Sequence, residues 1–379
     1  MASVVVLASC VLSVSADEVS FPDPALHAAV QDALGVTGQP IKLEDLEHLT
    51  VLLAGARGIV DLTGIEACIH LEQLHLYSNR IVDLEPLTGL QALKNVSLSG
   101  NQIIDVSPLA TLLQLSSLAI HSNQIADVGP IASLQLLASL SIGNSIDDIE
   151  PLANLPSLVR LMVYVRPTAD LSPLQRMHNL ELLLVSTGQP LAGRVSFDPT
   201  LLTSCSRLTS LQLHRFDIVR IADLANSVPT LTELALHYGA IDNLSMFQLF
   251  DGLTTLTLNG VLPSSEEADL SHLELPFSVK TLALENNGID DVAAVANFTS
   301  LTSLNLSRNG ITNIDPLGAL TSLTVLDLSF NQITDLDPLR ALFTLKSLTL
   351  RGVPFDRTEG SDANILIDEL RDRGVNIYY

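Results

Sequence analysis

Tryptophan is absent from this sequence of 379 residues, and aromatic residues make up only 4% of it. Basic residues are also scarce, since 19 lysines and arginines stand against 42 aspartates and glutamates and leave a net charge of −23. A protein that follows nucleic-acid phosphates needs clustered lysine and arginine, and binders of single strands add stacked aromatic rings. The composition therefore argues against a nucleic acid as partner.

Cysteine is rare as well, and three cysteines cannot build a disulfide framework or a cysteine-rich zinc site. Beyond the N-terminal stretch, charged residues, asparagine or proline interrupt every apolar run before about 18 residues, so no transmembrane segment is predicted. Glycine-rich phosphate loops, His-Glu-x-x-His and Gly-x-Ser-x-Gly do not occur. We expect a protein that is not an enzyme and that uses no cofactor or metal.

The first sixteen residues are typical of a leader for export. Val4–Val14 is apolar or small, and Val14-Ser15-Ala16 before Asp17 has the small-residue spacing that a signal peptidase reads. A second interpretation is a lipoprotein leader, because Leu7-Ala8-Ser9-Cys10 resembles the bacterial lipobox and would carry the lipid on Cys10. A disordered or core-packed N-terminus is the third. Met1-Ala2-Ser3 lacks the basic residue that usually begins such leaders.

A repeated leucine pattern, L-x-x-L-x-L-x-x-N-x-I, organises the rest of the chain. Its spacings are 22, 22, 22, 22, 21, 22, 28, 23, 22, 26, 22, 22 and 22 residues. The units start at Leu49, Leu71, Leu93, Leu115, Leu137, Leu158, Leu180, Leu208, Leu231, Leu253, Val279, Leu301, Leu323 and Leu345. One unit of this length cannot bury its apolar face alone, so the units must stack and their short strands form a parallel sheet. The pattern predicts an α/β solenoid.

Asparagine occupies the ninth position of many units. A buried side-chain amide needs hydrogen-bond partners, so we predict that these side chains point inward and bond to the backbone of the neighbouring turn. The residues are Asn79, Asn101, Asn123, Asn287, Asn309 and Asn331. Between Ser145 and Val261 this series lapses, and the 28- and 26-residue spacings fall in the same region. Either the function concentrates there or that region is simply less regular.

Aspartate occupies the thirteenth position, usually just before a Pro-Leu pair. An aspartate there is predicted to cap the turn or helix that follows, and proline suits its first position. Calcium binding by the stacked carboxylates is the alternative interpretation. The residues are Asp61, Asp83, Asp105, Asp127, Asp170, Asp291 and Asp335.

Helices are predicted on both sides of the repeats. Asp23 is a good N-cap before Pro24, Gly35 ends the first helix, and its shared face comprises Leu26, Val30, Ala33 and Leu34. Ser361 is predicted to cap a last helix that ends at Gly374 and precedes a strand over residues 375–379; its apolar face comprises Leu366 and Leu370.

The chain resembles leucine-rich repeat proteins, specifically the 22-residue type found in internalin-like bacterial surface proteins. Phe21-Pro22-Asp23-Pro24-Ala25-Leu26, then Leu34-Gly35, and later Leu62-Thr63-Gly64-Ile65-Glu66 resemble the N-terminal cap of such proteins. The resemblance covers roughly residues 21–379 and implies a horseshoe with a concave parallel β-sheet and helical N- and C-terminal caps. The expected organisation is a leader over residues 1–16, an N-terminal cap over 17–48, leucine-rich repeats over 49–352 and a C-terminal cap over 353–379.

Cys68 and Cys205 occupy positions that carry leucine in most other units, so they are predicted to fill the core. Six repeat steps of roughly 4.8 Å separate them by about 29 Å, which is too far for a disulfide.

Large side chains on one part of the concave face suggest where a partner binds. They replace the serine, threonine or alanine of other units, and exposed apolar and aromatic groups beside arginine are typical of interfaces. The predicted binding residues are Arg160, Met162, Tyr164, Val165, Leu182, Leu184, His214, Arg215, His237 and Tyr238, with a smaller cluster of His75, Tyr77 and His121.

Two further interpretations of that face concern burial and metal binding. The irregular stretch over residues 186–204 could instead fold over the cluster and bury it. His214 and His237 occupy equivalent positions in neighbouring units, but no third ligand is evident, so no metal site is predicted.

The sequence favours a non-catalytic binding protein, exported by a bacterium to the medium or the cell surface, with a lipid anchor if Cys10 is modified. Its partner would be another protein or a surface glycan, and the chain would be a monomer. An intracellular regulatory or scaffolding protein, resembling the repeat subunits that hold phosphatases, is the alternative. A third hypothesis places an enzyme site in the irregular central region.

Overall fold

The computed structural model of this protein describes residues 18–188, 195–261 and 270–379. The chain forms two compact units, unit 1 over Met1–Leu137 and unit 2 over Ala138–Tyr379. The predicted leader and its Cys10 lie outside the described residues. No helix in the described ranges is long and apolar enough to cross a membrane.

Within residues 18–137, unit 1 has two helices followed by four three-residue strands. The elements are α1 (Pro24–Leu34), α2 (Leu43–Leu46), β1 (Val51–Leu53), β2 (Gln73–His75), β3 (Asn95–Ser97) and β4 (Ser117–Ala119). The strands pair in parallel in chain order. After each strand the chain returns through a short 3₁₀ turn, at Ile65–Ala67, Glu85–Leu87, Ser107–Thr111 and Gly129–Ser133.

The described part of unit 2 contains thirteen strands and two helices, with the same alternation of strands and 3₁₀ turns as in unit 1. Its strands are β5 (Ser139–Asp148), β6 (Arg160–Asp170), β7 (Leu182–Ser186), β8 (Val195–Ser196), β9 (Ser210–His214), β10 (Phe216–Asp217), β11 (Glu233–His237), β12 (Thr255–Asn259), β13 (Thr281–Ala283), β14 (Ser303–Asn305), β15 (Val325–Asp327), β16 (Ser347–Thr349) and β17 (Asn376–Tyr378). Its α-helices are α3 (Ile221–Ser227) and α4 (Asp362–Asp372). Apart from β8 and β10, which pair with each other, the strands form one parallel sheet in chain order.

The 3₁₀ turns of unit 2 lie on the return path between strands, as they do in unit 1. They are Glu150–Asn154, Ser172–Arg176, Pro199–Leu202, Leu244–Leu249, Leu270–His272, Ala293–Asn297, Asp315–Ala319 and Asp337–Ala341.

The core of each unit is a stack of aliphatic side chains from successive repeats. In unit 1, Leu52, Leu74 and Val96 lie in register at the centre of their strands and are buried. Alternate residues of a strand point to opposite sides, so the residues on either side of them face solvent. Burying one such side chain contributes about 1.5–3 kcal/mol. The predicted α/β solenoid of leucine-rich repeats is therefore confirmed within each unit.

The predicted inward asparagines are confirmed, and their hydrogen bonds link each repeat to the one before it. Asn101 Nδ2 donates to the carbonyl of Leu98 at 2.8 Å and to that of Leu76 in the preceding repeat at 3.0 Å. Its Oδ1 accepts from the amide of Ile81 at 3.0 Å. One side chain thus satisfies three backbone groups that water cannot reach.

The aspartates cap the 3₁₀ turns, as predicted. Asp105 Oδ1 accepts from the amide of Ser107 at 2.8 Å, and Pro108 follows in the same turn. The hydroxyl and amide of Ser107 lower the pKa of the Asp105 carboxyl. The capping arrangement recurs at Asp61, Asp83, Asp127, Asp170, Asp291 and Asp335. In each case the Oδ1 atom serves the backbone.

The first helix begins and ends as predicted. Asp23 Oδ1 accepts from the amides of Ala25 and Leu26 at 2.8 and 3.0 Å, and Gly35 closes the helix in the left-handed region with φ 71°. Leu26 and Val30 are buried and Leu34 is half-buried. Ala33, on the same side of the helix, is exposed, whereas Ala29, one turn earlier, is buried.

The last helix is also confirmed. The Ser361 hydroxyl accepts from the amide of Asn364 at 3.2 Å, and Leu366 and Leu370 are buried. Gly374 follows with φ 85°, and β17 then pairs with β16. The boundaries predicted for leader, caps and repeats remain predictions.

Both described cysteines are free and fully buried, which confirms their assignment to the core. Burial raises the pKa of the Cys68 thiol to about 12 and that of the Cys205 thiol to about 11. Neither thiol will therefore be a reactive nucleophile at neutral pH.

We predict that Asn331→Ala lowers the free energy of unfolding by about 2–4 kcal/mol, because it leaves buried backbone groups without partners. Asn331 Nδ2 donates to Leu306 and Leu328 at 2.9 Å each, and its Oδ1 accepts from Ile311 at 3.1 Å. Urea unfolding followed by circular dichroism measures the change.

The matched control is Gln332→Ala, because Gln332 is the next residue and is exposed. Its effect should stay within about 0.5 kcal/mol. Equal losses for the two variants would contradict a structural role of the asparagine.

Candidate functional site

Long strands without the ninth-position asparagine lie next to one another in the unit 2 sheet. In β6, β7, β9 and β11 residues pair over five consecutive positions, whereas β13, β14 and β15 pair over three. In the regular repeats the asparagine amide takes the carbonyl at the sixth position, as Asn309 does with Leu306 at 2.8 Å. Where that amide is missing, the backbone hydrogen bonds between neighbouring strands continue, and the seventh position becomes part of the sheet.

The longer pairing places three rows of side chains on the outward face, one residue from each strand in a row. One row contains Arg160, Leu182, Ser210 and Glu233. The next contains Met162, Leu184, Gln212 and Ala235, and the third contains Tyr164, Ser186, His214 and His237. Arg215 and Tyr238 follow the third row directly. The unit 2 face patch, as we name it, comprises Arg160, Met162, Tyr164, Leu182, Leu184, His214, Arg215, His237 and Tyr238.

The exposure of these side chains differs from the sequence-based expectation at two positions. Tyr238 is 58% exposed, and Met162, Tyr164 and Leu182 are partly exposed. Leu184 is only 6% exposed because it lies between Met162 and Gln212 of the flanking strands. Val165 is buried because β6 remains extended there and alternation turns its side chain inward. Leu184 therefore forms the floor of the patch, and Val165 does not belong to it.

The side chain of Tyr164 lies close to the backbone of Gly143 in the neighbouring repeat. A Cβ atom at Gly143 would come within 2.2 Å of this ring, so only glycine leaves room for it. The aromatic side chain is thus held on the sheet face by a close approach that fixes its position.

His214 and His237 lie side by side with ring centroids 4.3 Å apart. The His214 Nε2 atom is buried without a hydrogen-bond partner in the described part of the chain. Burial, then the positive charges of His237 and Arg215, lower the pKa of His214 to about 4. Burial also lowers the pKa of His237, although the carboxylate of Glu285 opposes that shift. Both rings are neutral at physiological pH.

Arg215 and Tyr238 stand at the rim of the patch. Both adopt the left-handed backbone region, with φ 68° and 58°, and the Arg215 guanidinium lies 5.9 Å from the centre of the Tyr238 ring. The ring in turn covers Gly260 of the next repeat, where a Cβ atom would lie 2.8 Å from it. Arg308, Phe330 and Gly352 repeat the arrangement, with 4.7 Å between guanidinium and ring centre. Each set consists of an arginine, an aromatic residue and a glycine at the eighth position of successive repeats. An alignment of the repeats would have revealed both sets from the sequence.

The described side chains of the patch include no nucleophile that is hydrogen-bonded to a base. Ser186 is in register with His214, but no hydrogen bond joins them among the described residues, and none joins the His214 ring to a carboxylate. A nucleophilic site needs both links. Within the described ranges, no group of three or more histidine, cysteine or acidic residues is placed to hold a metal.

The irregular stretch over residues 186–204 leaves the sheet after β7. Its described part pairs as β8 with β10, beyond the end of β9. Residues 189–194, which carry the rest of the predicted covering segment, lie outside the described residues.

The smaller predicted cluster lies on the sheet of unit 1. Tyr77 is 48% exposed, and its ring covers Gly55, where a Cβ atom would lie 2.4 Å away. His75 and His121 are partly exposed on the same side. Sequence reasoning missed Leu53 of β1, which is in register with His75 and 64% exposed. Its position, fifth in the first repeat, was the available signal.

Comparison with known proteins identifies the repeats and the architecture. A family model described as leucine-rich repeats in two copies matches residues 69–111 and 299–341. The crystal structure of an internalin, InlF from Listeria monocytogenes, is similar with a TM-score of 0.56 and 26% identity, covering 86% of this chain and 95% of that one. The functional domain of InlJ from the same organism has a TM-score of 0.54 and 22% identity, covering 89% and 75%. A search of curated protein sequences finds no match.

We predict that stability falls as the pH is lowered from 7.5 to 5, because the unfolded chain takes up a proton near pH 6.5 that folded His214, with its pKa of about 4, does not. The stabilisation is complete above pH 6.5 and is lost progressively below it. The expected contribution of His214 is about 1 kcal/mol over this range, since water screens the exposed part of the ring. Urea unfolding at each pH gives the slope.

The free energy of unfolding should depend less steeply on pH in His214→Gln than in the wild type. The control is His48→Gln, since His48 is exposed outside the patch. An unchanged slope in His214→Gln would contradict the assignment.

Proposed function

Because the chain is a leucine-rich repeat protein similar to internalins, we propose that it binds a macromolecular partner through the outward face of its sheet and catalyses no reaction. The observation that carries the proposal is the unit 2 face patch. Large apolar and aromatic side chains lie in register on adjacent strands, on the side of the sheet that faces solvent. Most outward positions elsewhere carry small polar groups, such as Ser117, Thr281 and Ser303.

The patch has the residue composition that is typical of the centre of a protein interface. Tyrosine, arginine and methionine are enriched at the centres of protein interfaces, where a few residues carry most of the affinity. Rigid strands fix Met162 and Tyr164, and Gly143 fixes the tyrosine ring further. A partner therefore meets a surface that is already ordered, which lowers the entropic cost of binding.

We further propose that the protein acts outside the cell that makes it, as a secreted or surface protein and a monomer. The apolar leader over residues 1–16 supports export, and the fold similarity to internalins agrees with that role. The proposed partner is another protein or a glycan on a cell surface.

The binding face is tested by a photo-crosslinking residue placed at Tyr238 of the full chain. We predict a specific crosslinked partner from this position and none from Phe277, which is 85% exposed but lies between strands, outside the sheet. Mass spectrometry identifies the partner.

The same partner should bind Tyr164→Ala/Tyr238→Ala at least ten times more weakly, whereas Phe277→Ala should bind like the wild type. Equal affinity of the double variant would remove the patch as the site. Leu184 is left intact because alanine at this buried position would destabilise the fold.

Export is tested by the mass of the mature N-terminus. We predict that the purified native protein begins at Asp17, or at a lipidated Cys10. Retention of Met1 in protein recovered from its natural source would contradict export and favour an intracellular regulatory role.

A further inference from the structure

Two arginines of the unit 2 face patch stand out because they lack acidic partners. Neither Arg160 nor Arg215 forms an ion pair among the described residues, although acidic groups outnumber basic ones and the net charge is −23. Other arginines of unit 2 are paired: Arg207 with Glu181 at 2.6 Å, and Arg308 with Glu285 at 3.2 Å. The patch therefore presents two uncompensated guanidinium groups within an acidic protein.

The register of the strands sets the separation of these two groups. Arg160 begins β6, and Arg215 follows the last residue of β9, two strands away and five residues further along. With about 4.8 Å between strands and about 3.3 Å per residue, the two backbone positions are about 19 Å apart. An extended peptide covers that distance in about six steps, from its first residue to its seventh.

The middle of the surface between the arginines is apolar, and Ser186, Ser210 and Gln212 lie beside it. Met162 and Leu182 are partly exposed on either side of it, and Leu184 forms its floor. In an extended segment the first, third, fifth and seventh side chains point to one side. The third and fifth would therefore contact this surface while the first and seventh reach the arginines.

We propose that the unit 2 face patch binds an extended acidic segment of a partner protein, about seven residues long, with a carboxylate at each end and apolar side chains at its third and fifth positions. This inference rests on the proposed function and names the class of partner. The planar guanidinium group binds a carboxylate through two parallel hydrogen bonds, which lysine cannot do. Acidic polysaccharides have the carboxylates but lack apolar side chains for the surface around Leu184.

The charges around the patch favour an acidic segment only at short range. The net charge of −23 repels an acidic segment at long range, so affinity must come from direct contact with the two arginines. Glu233, exposed on β11 in the row of Arg160, disfavours a carboxylate on that side and sets the path of the segment toward Arg215. Binding by two ion pairs weakens as salt is raised.

The probe is a fluorescein-labelled heptapeptide, Glu-Ser-Leu-Ser-Leu-Ser-Glu, and its reference has glutamine at both ends. We expect the full-length protein to bind the acidic peptide at least ten times more tightly than the reference by fluorescence anisotropy at low salt. Arg160→Gln/Arg215→Gln should abolish that difference. Arg80→Gln is the matched control, because Arg80 is exposed and unpaired among the described residues but lies between β2 and β3 of unit 1.

Equal affinity for the two peptides, or an unchanged difference in the double variant, would overturn the inference. So would binding of an oligogalacturonate, the polysaccharide probe, at the same arginines in place of the peptide. Circular dichroism of each variant verifies its fold. If the crosslink from Tyr238 persists while the acidic peptide fails, only the acidic character of the segment is wrong and the binding face stands.

Discussion

The carbonyl at the sixth position of each repeat has two competing donors, and the architecture depends on which of them it meets. In the regular repeats an asparagine amide takes it: Asn79 and Asn101 both donate to Leu76, and Asn331 donates to Leu306 and Leu328. Otherwise the backbone of the next strand continues the ladder. The pairing of β12 shows both cases, because it extends over five residues toward β11 but over three toward β13, where Asn287 donates to Leu258 at 2.6 Å.

This competition connects an internal hydrogen bond to the outer surface. A longer ladder adds the seventh position to the sheet face, and in unit 2 that position carries Tyr164, His214 and His237. The face is widest where the large side chains stand, and Arg215 and Tyr238 follow at its rim. Loss of the asparagine series and accumulation of large side chains on the sheet face thus occur together in unit 2.

The sequence alone predicts those features that follow from the regular repeat and from local capping residues. The 22-residue period fixed the solenoid, the buried amide of Asn101 required backbone partners, and the cap residues Asp23 and Ser361 located the flanking helices. Exposure was harder to predict because it depends on neighbours in the next repeat. Leu184 is covered from both sides by residues distant in sequence, and Val165 turns inward only because β6 continues past the usual turn. The ion-pair state of Arg160 likewise depends on contacts that no local pattern encodes.

Native-state amide hydrogen exchange, measured residue by residue by NMR, most directly tests whether the asparagine amide replaces the backbone of the next strand as donor to the sixth-position carbonyl. The seventh-position amide of His237 lies within the paired strand β11, whereas that of Ser99 lies beyond the end of β3, where Asn101 takes the neighbouring carbonyl. The account predicts that Ser99 exchanges at least tenfold faster than His237 after correction for intrinsic rates. Equal protection of the two amides would contradict it, because the asparagine would then not end the ladder.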